Sequence, residues 1–269
     1  MHGNRWSARK GLRLARAGQT LVGALALIAA FAAPASAQSR EINLITPGVV
    51  FNSGLPEFAA AFTRQTGIKV NIKTDGMGRI VNDIKTASPA ADVVFLPLNL
   101  MASLEQDKGV VAGTVAPVGR VNIGLAVKKG DPVPDISTVA KLAAVLKAAQ
   151  SVVYSNPAGG SMEAQIIDAM LKRPEFDGVK KVISTRGEGG EALIRGEAQM
   201  ALQLICEIVN HPELVNAGPV PEELGAYIDT ATAVSARSTH AEDAKAFIKY
   251  ITQPGTFPLW YSKGLIRKE

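Results

Sequence analysis

The stretch Asn156-Pro157-Ala158-Gly159-Gly160-Ser161-Met162 lies between a short β-branched run, residues 152–154, and an amphipathic run, residues 162–170. This order predicts a turn from a strand into a helix. Two glycines let the backbone approach a guest closely, and Ser161 is placed to cap the new helix, whose first N–H groups favour an anion. The same sequence also suits a plain connection in any α/β fold.

Two further segments have the same form. Thr46-Pro47-Gly48 follows the strand-like residues 42–45, and Asp75-Gly76-Met77-Gly78-Arg79 follows the alternating apolar residues 68–72. In a parallel sheet such turns lie beyond the carboxyl ends of the strands, where open α/β folds bind ligands. We therefore expect the three turns to converge on one pocket.

Strand and helix patterns alternate along the rest of the chain. The continuous apolar run Asp92–Leu96 suits a strand that is buried on both faces. Residues 121–127 and 200–204 also have strand patterns, and residues 227–236 are long enough for a strand that crosses between lobes. Residues 239–242 fit a capping box at a helix start. The alternation predicts an α/β fold with a largely parallel sheet.

The first 37 residues have the three parts of a secretory signal peptide: basic residues, the apolar run 21–31 and the small residues Ala35-Ser36-Ala37. The apolar run is about half the ~20 residues that a membrane-spanning helix needs. We expect cleavage after Ala37 and a soluble protein in the periplasm. The basic residues of this leader are Arg5, Arg9, Lys10, Arg13 and Arg16.

Removal of the leader changes the charge balance of the chain. It takes away five of the 29 Lys and Arg and none of the 24 Asp and Glu, so 24 of each sign remain. The mature chain thus has no basic excess that would indicate nucleic acid as a partner. Its single cysteine, Cys206, excludes an internal disulfide and is expected to be a small buried hydrophobe.

The sequence has few of the patterns that mark catalytic sites. Two histidines remain after the leader, His211 and His240, and neither belongs to a zinc-binding motif. The chain contains neither a Gly-x-Ser-x-Gly elbow nor a phosphate-binding Gly-Lys-Ser/Thr loop. Cys206 and His211, five residues apart, make a weak nucleophile and base pair. We therefore expect no metal and no cofactor.

Four phrases of the mature chain are similar to a known group of proteins. They are the strand Ile42–Thr46, the segment Phe58–Val70 (FAAAFTRQTGIKV), the segment Ser88–Val94 (SPAADVV) and the ending Ala244–Ile251 (AKAFIKYI). With them, residues 41 to about 265 resemble the bacterial periplasmic solute-binding proteins of type II topology, in the molybdate-binding-like branch.

The resemblance implies a two-lobed α/β fold, in which each lobe is a mainly parallel sheet flanked by helices and two segments cross between the lobes. Lobe 1 would comprise residues 41–119 plus 230–269, and lobe 2 residues 126–222. The resemblance also implies a monomer that holds a small anion in the interlobe cleft and docks on the membrane permease of an ABC importer.

The first two turns depart from the pattern of molybdate-binding proteins, which usually place serine hydroxyls there. Asp75 would disfavour a small dianion if it faced the cleft, although it could instead cap the following helix. Arg79 would suit a carboxylate, or lie on the surface of that helix. These departures favour an organic carboxylate over a molybdate-like oxyanion.

Two hypotheses follow. The first, which we rank ahead, is a transport receptor without enzymatic activity. The alternative is a cofactor-free isomerase of a small tricarboxylate, similar to aconitate isomerase, an activity known on a molybdate-binding-like fold; Glu188 and Glu207 would then move the proton. Under either hypothesis the expected ligand-binding residues are Thr46, Pro47, Gly48, Gly76, Met77, Gly78, Arg79, Gly159, Gly160, Ser161, Met162, Arg186 and Gln203.

Overall fold

The strands and helices alternate in a computed structural model that describes residues 40–267. The signal peptide predicted for residues 1–37 lies outside the described residues. The strands within that range are β1 (Glu41–Thr46), β2 (Lys69–Thr74), β3 (Val93–Pro97), β4 (Ala116–Lys128), β5 (Val152–Tyr154), β6 (Lys181–Ile183), β7 (Met200–Leu204), β8 (Leu214–Pro219), β9 (Tyr227–Val234) and β10 (Leu265–Ile266).

The helices follow the apolar periodicity of the sequence. In the second of them Leu55, Phe58, Ala59 and Phe62 share one buried face, as the i, i+3, i+4, i+7 pattern requires. The helices in the described range are α1 (Gly48–Asn52), α2 (Leu55–Thr66), α3 (Met77–Thr86), α4 (Leu98–Gln106), α5 (Val139–Ala148), α6 (Met162–Leu171), α7 (Gly189–Ile194), α8 (Ile205–Ile208), α9 (Ala241–Thr252) and α10 (Phe257–Ser262).

The first lobe is built on strands that are parallel at one end and antiparallel at the other. β1 pairs in parallel with β2 and with β3. β9 runs antiparallel to β3, and β4 runs antiparallel to β9. β10 closes this edge by an antiparallel pairing with β4.

The second lobe repeats the plan around β5, which pairs in parallel with β6 and β7. β4 belongs to both sheets: its residues 116–122 pair with β9, and its residues 123–128 pair with β7 and β8. The strand therefore crosses from the first lobe to the second, and the chain returns through residues 220–226 before β9. The predicted two-lobed α/β fold is confirmed, but its sheets are mixed and not mainly parallel, because the crossing strands β4 and β9 run antiparallel to their neighbours. The lobe boundaries stay a prediction, because both lobes lie in one compact unit.

The core of the first lobe is packed by aromatic side chains from helices that are distant in sequence. The rings of Phe58 and Trp260 lie 4.2 Å apart, and those of Phe62 and Phe247 meet edge to face at 5.2 Å. All five residues of β3 are buried, as the apolar run predicts. This packing fixes the strand ends from which the glycine-rich turns project.

One local prediction was wrong. The capping box expected at residues 239–242 does not form, because α9 takes His240 as its N-cap and its first residue is Ala241. The His240 ring lies 3.3 Å from Asp92, a contact with a residue 148 positions away, so tertiary structure and not the local motif sets this helix start. Within residues 40–267 no helix is both long and apolar enough to cross a membrane.

Candidate functional site

A cavity of about 460 Å³ lies where turns from the two lobes meet. Three of the turns are the ones singled out in the sequence, and a fourth connects β6 with α7. The lining residues are Pro47, Gly48 and Val49; Asp75, Gly76 and Met77; Ser155, Asn156 and Gly159–Glu163; Ser184–Glu188; and Leu204, Glu207 and Ile228. The cavity is therefore bordered by the carboxyl ends of β1, β2, β5, β6 and β7.

Two ten-residue helices begin at this cavity. Gly76 is the N-cap of α3 and supplies no side-chain cap. Ser161 is the N-cap of α6, and its hydroxyl accepts a hydrogen bond from the backbone N–H of Ala164, as the sequence predicts. The first N–H groups of a helix have no intrahelical acceptor and carry the positive end of its dipole. This side of the cavity therefore favours negative charge.

The turn formed by residues 156–162 is more constrained than its sequence indicates. Residues Pro157–Gly159 form a short 3₁₀ turn before α6, capped by the Asn156 side chain. Gly160 has a φ of +81°, a left-handed conformation that side-chain-bearing residues rarely adopt, whereas Gly159 lies outside this region. A Cβ atom at either position would meet no atom within 4 Å. Glycine is thus required at 160 by its backbone angles.

Acidic side chains also line the cavity. The Gln203 amide nitrogen donates to Glu188 Oε2 at 2.6 Å and to Glu207 Oε2 at 2.8 Å. Its amide oxygen accepts from the backbone N–H of Gly190, which fixes the orientation of the amide. Gln203 thereby bridges two carboxyl groups that are 19 positions apart in the sequence.

Burial keeps these carboxyl groups from ionising readily. It is the largest cause of the raised pKa of Glu207, and the charge of Glu188 raises that pKa further. Hydrogen bonds from Gln203 and Asn52 oppose the rise. The pKa of Glu188 is also raised, first by burial and then by the charge of Glu191. An acid that holds its proton near neutral pH, beside one that ionises more readily, is an arrangement suited to acid–base chemistry.

A third acid, Glu163, was missed in the sequence. It is the second residue of α6, it is 5 % exposed, and its Oε1 atom has no hydrogen-bond partner. Burial, followed by the charges of Glu207 and Glu188, raises its pKa. An acid in the first turn is ordinarily explained by the helix dipole, and its nearness to the predicted N-cap Ser161 was the one available signal.

The structure brings most of the expected ligand-binding residues to the cavity and leaves some outside. Arg186 borders it and is exposed. Thr46, Gly78 and Arg79 are not among its lining residues, and Gln203 lies buried beneath it. The Arg79 side chain is 82 % exposed and lies 3.7 Å from Asp75, so it takes the surface role that the sequence left open.

Asp75 does not cap the following helix. It borders the cavity, accepts a hydrogen bond from the N–H of Gly76 and lies 3.7 Å from Lys73. Cys206 is fully buried as predicted, and burial raises the pKa of its thiol. A buried, protonated thiol is a poor nucleophile, so the pairing of Cys206 with His211 gains no support. Within residues 40–267 no group of three or more His, Cys, Asp or Glu side chains is arranged to hold a metal ion.

Comparisons with known proteins agree with this architecture. The family model described as bacterial extracellular solute-binding protein matches residues 51–265. An aconitate isomerase from a Pseudomonas species is 30 % identical over 222 residues, which cover 77 % of this chain and 82 % of that protein.

Two solved structures share the fold. The substrate binding domain of a candidate molybdenum ABC transporter from Clostridium difficile has a TM-score of 0.71 at 15 % identity, over 86 % of this chain and 100 % of that one. The periplasmic molybdate-binding protein of Azotobacter vinelandii has a TM-score of 0.63 at 15 % identity, over 85 % and 100 %.

Proposed function

Because the chain belongs to the bacterial extracellular solute-binding protein family, we propose that it binds a small polycarboxylate in its interlobe cavity and, without a cofactor, moves a proton along it. The sequence ranked a transport receptor first and this isomerase second. The observation that reverses the order is the bridge from Glu188 through Gln203 to Glu207.

The acidic side chains in the cavity favour a catalytic function over ligand binding alone. An ionised carboxyl group beside the ligand would weaken a receptor for a small dianion, because like charges repel. A proton-transfer enzyme needs an acid and a base within reach of one carbon atom. The aconitate isomerase relative supports an unsaturated tricarboxylate as the substrate class.

The same cavity has the means to hold such an anion. The starts of α3 and α6 present backbone N–H groups, and Arg186 adds a cation at the rim. Substrate carboxylates would lie on this side, with the carbon skeleton toward the acids. Binding in that orientation makes the proton transfer effectively intramolecular.

The proton shift requires two carboxyl groups in opposite states. Glu188, half-buried, would act as the carboxylate that takes a proton from a methylene carbon of the substrate. The electron pair enters the conjugated system and the double bond moves by one position. Glu207, which burial keeps protonated, would deliver a proton to the far carbon. Exchange with water restores both groups, so the reaction is an isomerisation with no net uptake of protons.

The experiment follows cis- and trans-aconitate by NMR in D₂O with the purified protein. We expect interconversion accompanied by deuterium at carbon. Glu207→Gln and Glu188→Gln should each lower turnover by about 100-fold or more while leaving binding largely intact, since the shape of the side chain is kept. Glu175→Gln, an exposed glutamate paired with Arg173, is the matched control. Binding without interconversion would contradict the proposal.

A receptor is the second candidate, favoured by the placement of the cavity between lobes that two segments join, and by the family itself. In that case the protein would work in the periplasm and deliver its ligand to an ABC permease. Calorimetric titration with molybdate, citrate and related acids tests it. Tight binding of any of these, with no turnover of aconitate, would place the receptor first.

A further inference from the structure

We propose that Glu163 and Ser155, together with the start of α6, form a subsite for one carboxylate group of the ligand. The inference depends on the proposed function for the identity of the ligand, a polycarboxylate, and not for its turnover. It assigns a role to two residues that the proton shift does not use.

The observation behind it is a coincidence of two unsatisfied atoms. Among the described residues, the buried side-chain nitrogen and oxygen atoms that have no hydrogen-bond partner are Glu163 Oε1 and Ser155 Oγ. Both residues line the same cavity. Their side chains are nearly inaccessible, with Glu163 5 % and Ser155 8 % exposed. Buried polar groups in native proteins are almost always paired, so two unpaired atoms on one cavity indicate a partner from outside the protein, and we assign that role to the ligand.

The backbone adds donors at the same place. Glu163 is the second residue of α6, and the cap of that helix, Ser161, is engaged with the N–H of Ala164. The N–H groups of Met162 and Glu163 precede the first position at which a helix supplies its own acceptor. The α6 start therefore offers N–H donors beside the residues that carry the two unsatisfied oxygen atoms.

The charges around Glu163 decide which kind of group it meets. Burial, and then the charges of Glu207 on α8 and Glu188 at the start of α7, raise the pKa of Glu163, which favours the protonated carboxyl. Its hydrogen bond with the Leu204 backbone works in the opposite direction. A protonated carboxyl and a serine hydroxyl can both donate. With backbone N–H groups they make a set of donors that fits an ionised carboxylate and not an ammonium group.

The subsite has a consequence for selectivity. A ligand carboxylate held at α6 leaves the rest of the molecule free to reach Glu188 and Glu207, which line the same cavity. A ligand with a single carboxylate cannot satisfy this subsite and the other helix start at once. The cavity should therefore select polycarboxylates, and an inorganic oxyanion would leave part of the donor set unused.

The test measures binding of tricarballylate, a saturated tricarboxylate that has no double bond to move, by calorimetry on the mature protein. Glu163→Leu removes the donor and should weaken binding by about 10-fold or more, as expected for a lost hydrogen bond to a charged group. Ser155→Ala should weaken it in the same direction. Glu163→Gln keeps an N–H donor in the same shape, so binding should stay within about 3-fold of wild type. A thermal melt of each variant verifies folding.

The pH dependence supplies a second readout. Wild-type binding should weaken as pH rises through the raised pKa of Glu163, because the ionised group repels a carboxylate. Glu163→Gln should lose that part of the dependence, whereas any part due to Glu188 and Glu207 should remain in both proteins. A fall in tricarballylate affinity with rising pH that is larger in the wild type than in Glu163→Gln supports the subsite.

The outcomes separate this inference from the proposed function. Unchanged tricarballylate binding in Glu163→Leu and Ser155→Ala would overturn the subsite, even if aconitate is isomerised. Tighter binding at high pH, or preference for a diamine over tricarballylate, would also overturn it by indicating a cation site. If tricarballylate binding depends on Glu163 while aconitate is never isomerised, the subsite is supported and the proposed isomerase activity is contradicted.

Discussion

The residue that organises the acidic side chains of the cavity is Gln203, a neutral amide. Because its oxygen is taken by the N–H of Gly190, its two N–H bonds can only point toward Glu188 and Glu207. A carboxylate in its place would repel both neighbours, and an apolar side chain would leave both acids unpaired. An amide is thus well suited to hold two acids at one buried site.

The raised pKa of Glu207 gives a prediction for stability. Burial and the charge of Glu188 raise this pKa to about 8, from an ordinary value of 4.5. The folded state therefore binds the proton more tightly than the unfolded state, so stability is full at low pH and falls as pH rises from about 4.5 to 8. Glu207→Gln should reduce this fall, by roughly 3 °C or more in the difference between melting temperatures at pH 5 and pH 8. An equal fall in both proteins would contradict it.

Gly160 gives a second prediction for stability, with the neighbouring Gly159 as its control. Gly160→Ala places a side chain at a φ of +81° and should cost about 1 to 2 kcal/mol of stability through backbone strain. Gly159→Ala lacks that strain and has the same open space around its Cβ, so its cost should be smaller. Melting curves of the two variants measure the difference. Equal losses would show that the φ at 160 does not matter.

Arg120 connects the strands and the return segment that cross between the lobes. From β4 its guanidinium donates twice to Asp229 on β9, at 2.6 and 2.8 Å, and once to Glu222. It also lies 3.3 Å from the centre of the Tyr227 ring. Both crossing segments therefore meet at one cation, whose pKa the Asp229 hydrogen bond raises further.

Loss of the Arg120 side chain should lower the stability of the whole protein. We expect Arg120→Ala to lower the free energy of unfolding by about 1 to 3 kcal/mol, because the Arg120 side chain is only 12 % exposed and Asp229 loses its bidentate partner. Arg173→Ala breaks an exposed pair with Glu175 and should cost about 0 to 1 kcal/mol. Denaturant unfolding of both variants gives the comparison. Similar small losses of unfolding free energy in the two variants would mean that the Arg120 contacts do not stabilise the crossing segments.

Turns of both lobes line the cavity, so a ligand that fills it contacts both lobes. Two lobes joined by two crossing segments, β4 and the return through residues 220–226, are the usual basis for hinge closure. We expect X-ray scattering of the mature protein to show a smaller radius of gyration with saturating tricarballylate than without it. Arg79→Ala, which alters an exposed side chain outside the cavity lining, should close equally. An unchanged radius at saturation would argue against closure.

The part of the site that could be predicted was the part made by local sequence. Glycine-rich turns after β-branched runs identify strand ends, and parallel pairing brings such ends to one edge, so Gly48, Gly76 and Gly160 could be placed near each other in advance. Ser161 could be identified as a cap for the same reason, since a cap depends on residues at most three positions away.

What local patterns could not supply was the environment of each charge. Arg79 and Glu163 each lie at the start of a helix, yet Arg79 is 82 % exposed and Glu163 is 5 % exposed. The difference comes from what packs against each helix, which depends on contacts across the fold. Burial in turn sets the pKa of an acid, so acid–base roles could not be ranked before the fold was known.

The α/β class, the two-lobed family resemblance and the three glycine-rich turns could be predicted from the sequence, because each depends on periodicity or on neighbours in the chain. Only the tertiary structure brought Glu163, Glu188 and Glu207 to one cavity around Gln203 and left Ser155 unpaired beside them. Hydrogen-bond geometry and desolvation act over distances of a few ångströms. Residues 163 and 207 come within that range only when the strands and helices between them have packed.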